Sequence, residues 1–326
     1  MTNERRSSAD KKGRAIGFLR IGVSILLLVV LLKLFNFENI LSHIASISPF
    51  LWLSVLVAFL GGHAVAAAKW RLLIGVDTPY LKALQAHFAG LAANIALPGV
   101  AGGDLVRASL VMKGSGRKTA LALGSFADRL IDTAVLVLIA AAGAIWLGVR
   151  AGVDPAGLIA AALLVIAGSV AAIILMRPIA GLLRAKAPAG KVGSIICDIA
   201  ETIEGLADRR SALFLCIALS FAIQFSFAVL NAMIAQNIGA GTSIAEWIFA
   251  WPLAKLIAIL PISFGGLGVR EASIASLMTP MGHAAAPVIA ASLIWQSILY
   301  AGGLAGVIVQ SVGLRRLQKN EEAEHG

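Results

Sequence analysis

Apolar residues run through this chain in long stretches separated by short, mostly basic loops. Six stretches are long enough to cross a hydrocarbon layer about 30 Å thick at about 1.5 Å per helical residue: 15–36, 50–68, 119–148, 156–176, 211–236 and 285–312. Two more, 82–112 and 244–281, are equally apolar but interrupted. The first is broken at Leu97-Pro98-Gly99 and again at Gly102-Gly103. The second carries Pro252, Pro261, Gly265, Gly266 and Gly268. Irregular backbone cannot face lipid, so each interrupted stretch is predicted to be a re-entrant hairpin of two half-helices. The pattern thus predicts an all-α polytopic membrane protein with six full spans and two re-entrant helical hairpins.

Between 177 and 210 the pattern changes. Ile195, Ile199, Ile203 and Leu206 recur at helical spacing, with Asp198, Glu201, Glu204 and Asp208 between them. That predicts an amphipathic helix on the cytoplasmic surface or against the bundle. The polar end, 317–326, is expected to be a solvated, unstructured tail.

Composition supports the membrane reading: 59% of the 326 residues are hydrophobic and 13% charged, about half the charged share of a soluble domain. Five Lys or Arg precede the first apolar run. That run lacks the short core and small-residue cleavage site of a removable signal, so it is read as a retained span.

The net charge of +10 is informative through its placement. Let both hairpins return to the side they entered. The stretches 1–20, 69–82, 113–118, 177–210 and 313–326 then hold 21 of the 27 Lys and Arg, and the opposite side only Lys33 and Arg150. Arg107, Arg129, Lys255 and Arg270 fall at membrane depth. The split follows the positive-inside rule and puts both termini in the cytoplasm. It is a topology signal with attraction to anionic headgroups as a second effect, not a nucleic-acid footprint. Cys197, Cys216 and the five scattered histidines offer no metal spacing, and there is no phosphate-binding loop or nucleophile elbow. No cofactor or metal is expected.

One phrase occurs twice. "LPGVAGGDLVR" (97–107) and "LPISFGGLGVR" (260–270) agree at six of eleven positions, 163 residues apart. The same offset lays span 50–68 on 213–231 and span 119–148 on 282–311. Three crossings separate the copies, so the second is inverted relative to the first. The chain is therefore read as a single membrane domain, 1–326, with repeat 1 over about 15–148 and repeat 2 over about 156–312. Inverted repeats whose broken helices meet near the bilayer midplane are the layout of many secondary transporters.

The glycine pairs Gly102-Gly103 and Gly265-Gly266 let the backbone turn, approach a neighbour and start a new half-helix. A half-helix N-terminus exposes unpaired N–H groups. Arg107 and Arg270, expected in the first turn after each break, add a fork of donors suited to a phosphate. Asp104 and Glu271 lie in the same turns and could instead neutralise the arginines, holding the hairpins together without any substrate. In "FADRLIDTAV", Asp128, Arg129 and Asp132 fall near one helical stripe. They could relay a proton or form an internal Arg–Asp pair with one carboxylate bonded to a neighbouring helix. Glu246 and Lys255 stand in the second interrupted stretch, and His63 and His87 read as hydrogen bonders facing other helices.

Through "AAAKWRLLI", "LPGVAGGDLVRASLV", "ADRLIDTAVL" and "PISFGGLGVREASI", the chain resembles the lysylphosphatidylglycerol synthase transmembrane-region family. The resemblance covers most of the chain and implies a membrane domain that moves a lipid between leaflets. It points to Gly102, Gly103, Asp104, Arg107, Asp128, Arg129, Gly265, Gly266, Gly268, Arg270 and Glu271. Lys69 stands where the family pattern has an arginine before tryptophan, keeping the charge and losing the fork. No aminoacyl-transfer domain is expected in these residues. The leading expectation is a non-enzymatic, flippase-like translocase for a polar, anionic lipid, with membrane lipids as partners. A second copy or a lipid-synthesis enzyme stays open as a further partner. The alternatives are an accessory or catalytic subunit acting on lipid-linked sugars or other polar lipids, and a scaffold whose charges only hold it together.

Overall fold

The computed structural model describes residues 22–31, 33–35, 37–96, 100–112, 117–260, 263 and 265–325. Its regular elements are helices in chain order: α1 Gly22–Leu31, α2 Phe37–Ala45, α3 Pro49–Leu73, α4 Tyr80–Ala96, α5 Val100–Met112, α6 Lys118–Arg150, α7 Ala156–Ala185, α8 Lys191–Asp208, α9 Arg210–Asn237, α10 Ile244–Ile259, α11 Val269–Met278 and α12 Ala285–His325. Among these, α3, α6, α7, α9 and the Ala285–Ser311 part of α12 are long and apolar enough to cross a membrane. Of the expected first span, 15–36, only the part from Gly22 onward is described. Pro98 and Pro261 also lie outside the described residues.

Two expectations about polar segments change. Helix α7 does not stop at 176 but continues past Pro178 to Ala185. The tail expected to be unstructured continues α12 to His325; its run of Leu, Arg, Gln, Lys, Glu and Ala consists of good helix formers. Helix α8 is the amphipathic insert, and it packs on α6 and α7. Its apolar side buries Ala200, Leu206 and Ala207. Its acidic side is matched by Arg117–Glu201 at 3.0 Å, Arg184–Glu204 at 2.7 Å and Arg177–Asp208 at 2.5 Å. These pairs are exposed, so each contributes at most about 1 kcal/mol.

The packing of the two halves corresponds element by element. Helix α4 lies on α12 as α10 lies on α6, and α3 on α4 as α9 on α10. Likewise α4 packs on α5 as α10 packs on α11, while α3 and α9 pack on each other. Glycines make the closest of these approaches. A Cβ on Gly143 of α6 would come within 2.7 Å of the Phe249 backbone in α10. One on Gly306 of α12, 163 residues later, would come within 3.1 Å of the Phe88 carbonyl carbon in α4. Small residues let helix backbones meet where lipid offers no hydrophobic drive to association. The main core gathers α3, α9, α10, α11 and α12 around Phe59, Phe227, Trp247, Trp251, Ile274 and Trp295. A smaller one joins the first hairpin to α3 and α6 through Trp70, Ala83, Val111 and Leu121.

Candidate functional site

The two interrupted segments fold differently. In the first, helix resumes at Val100, so Gly102 and Gly103 sit inside α5 rather than at a break. Arg107 is consequently the eighth residue of α5, not a first-turn residue. Gly103 serves close approach: a Cβ there would fall 2.5 Å from the Gly90 carbonyl oxygen of α4. In the second, the turn does run through the glycines. Gly265, Gly266 and Gly268 have φ of 59°, 78° and 82°, which other residues adopt only with strain, and α11 starts at Val269.

Two of the backbone donors at these helix starts already have side-chain partners. The Gly103 N–H donates to Asn94 Oδ1 at 3.1 Å. The Gly268 N–H donates to Glu271 Oε2 at 2.7 Å, the reach-back of a capping-box carboxylate. Protein side chains answer these two donors, and the charged side-chain heads are the further groups placed to meet a ligand.

Those heads converge on one cavity of about 260 Å³. Asp104, Arg107, Asp128, Arg129, Asp132 and Arg270 all line it, with Gly103 and Gly265. Around the first hairpin the charges form a connected network. Asp104 accepts from Arg129 Nε at 2.6 Å and lies 3.2 Å from Arg107 Nη2. Arg107 Nη2 also reaches Asp128 Oδ2 at 3.2 Å, while its Nη1 lies 3.2 Å from His87 Nδ1. Its guanidinium stacks 4.5 Å above Trp70. Lys69 Nζ lies 3.0 Å from Asp128 Oδ1 and also bonds Asp132, which accepts from Ser220 Oγ. The expected Arg129–Asp132 pairing within α6 is replaced: Arg129 turns to α5 and Asp132 to α3 and α9. Two carboxylates one helical turn apart are bridged by a single buried ammonium instead.

The second hairpin's arginine is held locally. Arg270 Nη2 lies 3.1 Å from Glu271 Oε1 and bonds Gln296 of α12. Glu271 is fully buried and also accepts from Ser292 Oγ at 3.0 Å. It does not line the cavity.

Several residues that the sequence marked only in passing take defined places, and Gln224, Trp251 and Gln296 of the lining carried no sequence signal. Lys69 was counted among the loop cations, but it is 1% exposed and takes part in the network, so it leaves the cytoplasmic tally. Lys255 projects into the cavity. Its Nζ donates to Gln224 Oε1 at 2.7 Å and lies 4.9 Å from the Trp251 ring; no carboxylate lies within 4.0 Å of it among the described residues. His63 and His87 do hydrogen-bond across helices, and they do so with each other, at 3.0 Å. Glu246 closes a capping box with Ser243 and faces His283 at 2.9 Å, outside the cavity lining.

Counting the lining gives five cations (Lys69, Arg107, Arg129, Lys255 and Arg270) against three carboxylates (Asp104, Asp128 and Asp132). Arg107 Nε, Arg270 Nε and Trp251 Nε1 are buried donors with no hydrogen-bond partner among the described residues. Glu271, behind the lining, pairs with Arg270, so the cations exceed the carboxylates by one; an excess of positive charge with spare donors is chemistry suited to an anion. The described residues hold no cluster of His, Cys, Asp or Glu suited to a metal.

Long apolar helices enclosing an ionised cavity define a multi-pass helical membrane protein with a polar interior site. The chain belongs to the lysylphosphatidylglycerol synthase TM region family, whose sequence profile matches residues 17–306, which places it among membrane proteins of lipid handling. None of the curated proteins matches the chain.

Proposed function

We propose that the protein is a lipid translocase, not an enzyme, which passes a polar lipid with an anionic headgroup between the leaflets of a bacterial cytoplasmic membrane. The observation that carries this reading is the cavity's five cations against three lining carboxylates and Glu271 behind Arg270, one positive charge in excess, with Arg107 Nε and Arg270 Nε unpartnered among the described residues. Scaffolding alone calls for matched charges. The exchanged packing of the two halves and the 163-residue offset of Gly143 and Gly306 support an inverted repeat. In it α4–α5 and α10–α11 dip into the bilayer from opposite faces, both termini are cytoplasmic, and α1 completes six spans. Rocking one repeat against the other would open the cavity first to one leaflet and then to the other. The headgroup would ride in the cavity while its acyl chains stay in lipid.

The experiment is leaflet exchange of fluorescent phospholipids in liposomes containing the purified full chain, with Arg107→Ala and Arg270→Ala alongside. Exchange by the wild type that is lost in folded variants supports the proposal. Absence of exchange for every phospholipid and polyprenyl lipid would turn the reading toward an accessory subunit of lipid modification. Variants that lose stability while keeping rate would point to scaffolding.

A further inference from the structure

The cavity wall carries two histidines that lipid binding alone does not use. His87 of α4 is 8% exposed, and His63 of α3 lies beside it, with His63 Nδ1 3.0 Å from His87 Nε2. His87 Nδ1 lies 3.2 Å from Arg107 Nη1. A guanidinium can only donate, so His87 Nδ1 is the acceptor and the neutral ring carries its proton on Nε2. That proton is donated to His63 Nδ1, which puts the proton of His63 on its Nε2. One directed chain results: Arg107 to His87 to His63, each N–H donating to the next ring.

In this chain every ring nitrogen either carries a proton or accepts one. An additional proton therefore has no free lone pair to occupy. It must take His87 Nδ1, displacing Arg107 Nη1, or His63 Nδ1, breaking the His63–His87 hydrogen bond between α3 and α4. Protonation and disengagement are one event. The charged groups facing the pair are Lys69 from α3, Arg107 from α5, Arg129 and Asp132 from α6, and Lys255 from α10. An anion among those cations attracts an added proton across the same cavity, so proton and anion bind with positive coupling. Arg107 Nη1 is then free to meet the headgroup, while Nη2 stays with Asp104 and Asp128.

We infer that the His63–His87 pair is a proton-binding site that couples translocation to a pH gradient, one proton crossing with each anionic headgroup in the same direction. The proton enters from the water on one side, occupies an imidazole nitrogen while the headgroup is loaded, and leaves on the other. No bond other than this N–H forms or breaks. The inference rests on the translocase reading of the same cavity.

The test uses the full chain in liposomes of phosphatidylcholine and phosphatidylglycerol, with a trapped pH dye and fluorescent phosphatidylglycerol in one leaflet. Exchange is measured with and without a pH gradient, the membrane potential being clamped by potassium and valinomycin. The readout is the ratio of the two rates for wild type, His63→Gln and His87→Gln, which removes the effect of any general loss of activity. Folding is checked by circular dichroism. The expected result is a wild-type ratio several-fold above one, proton uptake accompanying lipid movement, and a ratio of one in both variants. Wild-type exchange indifferent to the gradient overturns the coupling and leaves the translocase reading intact. A gradient response that survives in folded variants overturns the assignment to these histidines. No exchange of any lipid by folded wild type removes the translocase reading and this inference with it.

Discussion

The same eleven-residue phrase folds in two ways, and the residues at Gly268 and Glu271 together decide which. In the second copy Gly268 takes φ 82° and caps α11, with Glu271 reaching back to its N–H. The first copy has Leu105 and Ala108 at the corresponding positions. A leucine pays heavily for that backbone conformation, and an alanine offers no capping carboxylate, so helix α5 starts earlier and absorbs its glycines. The partners of the two arginines follow from this. Arg270 has Glu271 beside it as its one charged partner among the described residues and reaches Gln296 of α12. Arg107 shares its local carboxylate, Asp104, with Arg129 and joins a network spanning α3, α5 and α6. One hairpin is locked and the other redundantly tied, which suits a fixed half and a half able to exchange partners.

Substitutions test that contrast, and the largest effect is expected at the locked side. Glu271→Ala removes a fully buried carboxylate with three partners and strands Arg270. The expected loss is about 3–5 kcal/mol, visible as the largest drop in thermal midpoint in detergent. A midpoint near wild type would break the contrast. Arg107→Ala leaves Asp104 with Arg129 and Asp128 with Lys69. Its stability cost is expected at about 1–3 kcal/mol. Exchange should fall by about tenfold or more if a charged hydrogen bond to the headgroup is lost.

Gly268→Ala tests the turn itself. It forces alanine to φ 82° and brings a Cβ within 2.7 Å of Leu27 Cβ in α1. The expected cost is about 1–3 kcal/mol, read in the same melt, whereas glycine at Leu105 should leave α5 starting at Val100. The smallest stability effect belongs to Lys255→Met. With no carboxylate to strand, removing this cation should change stability by less than about 1 kcal/mol in either direction while lowering exchange. A large destabilisation would show that Lys255 holds the fold rather than the substrate.

The membrane class, the interrupted stretches and the 163-residue offset were legible because they are written in hydropathy and in repeated glycines. The arginines and aspartates of the site were legible because ionised residues in apolar helices stand out. Their partners were not. Helical spacing suggested Arg129 with Asp132, but that pairing is decided by which helices pack side by side, as are the bonds from Lys69 to α6 and from His87 to Arg107. Lys69 was misplaced because a lysine near a helix end reads as a loop cation. The Gly268-x-x-Glu271 spacing did carry the capping signal; its absence at Leu105-x-x-Ala108 could have distinguished the two hairpins from sequence.

The central claim, two oppositely oriented hairpins around one cavity, is tested most directly by which side of the membrane their ends occupy. In a background of Cys197→Ser and Cys216→Ala, single cysteines replace the exposed Asp77 and Lys118 flanking the first hairpin and the exposed Met281 after the second. They are labelled with an impermeant maleimide in right-side-out and inverted vesicles. The account predicts that Asp77→Cys and Lys118→Cys label only in inverted vesicles and Met281→Cys only in right-side-out ones. Labelling of all three from the same side would contradict it.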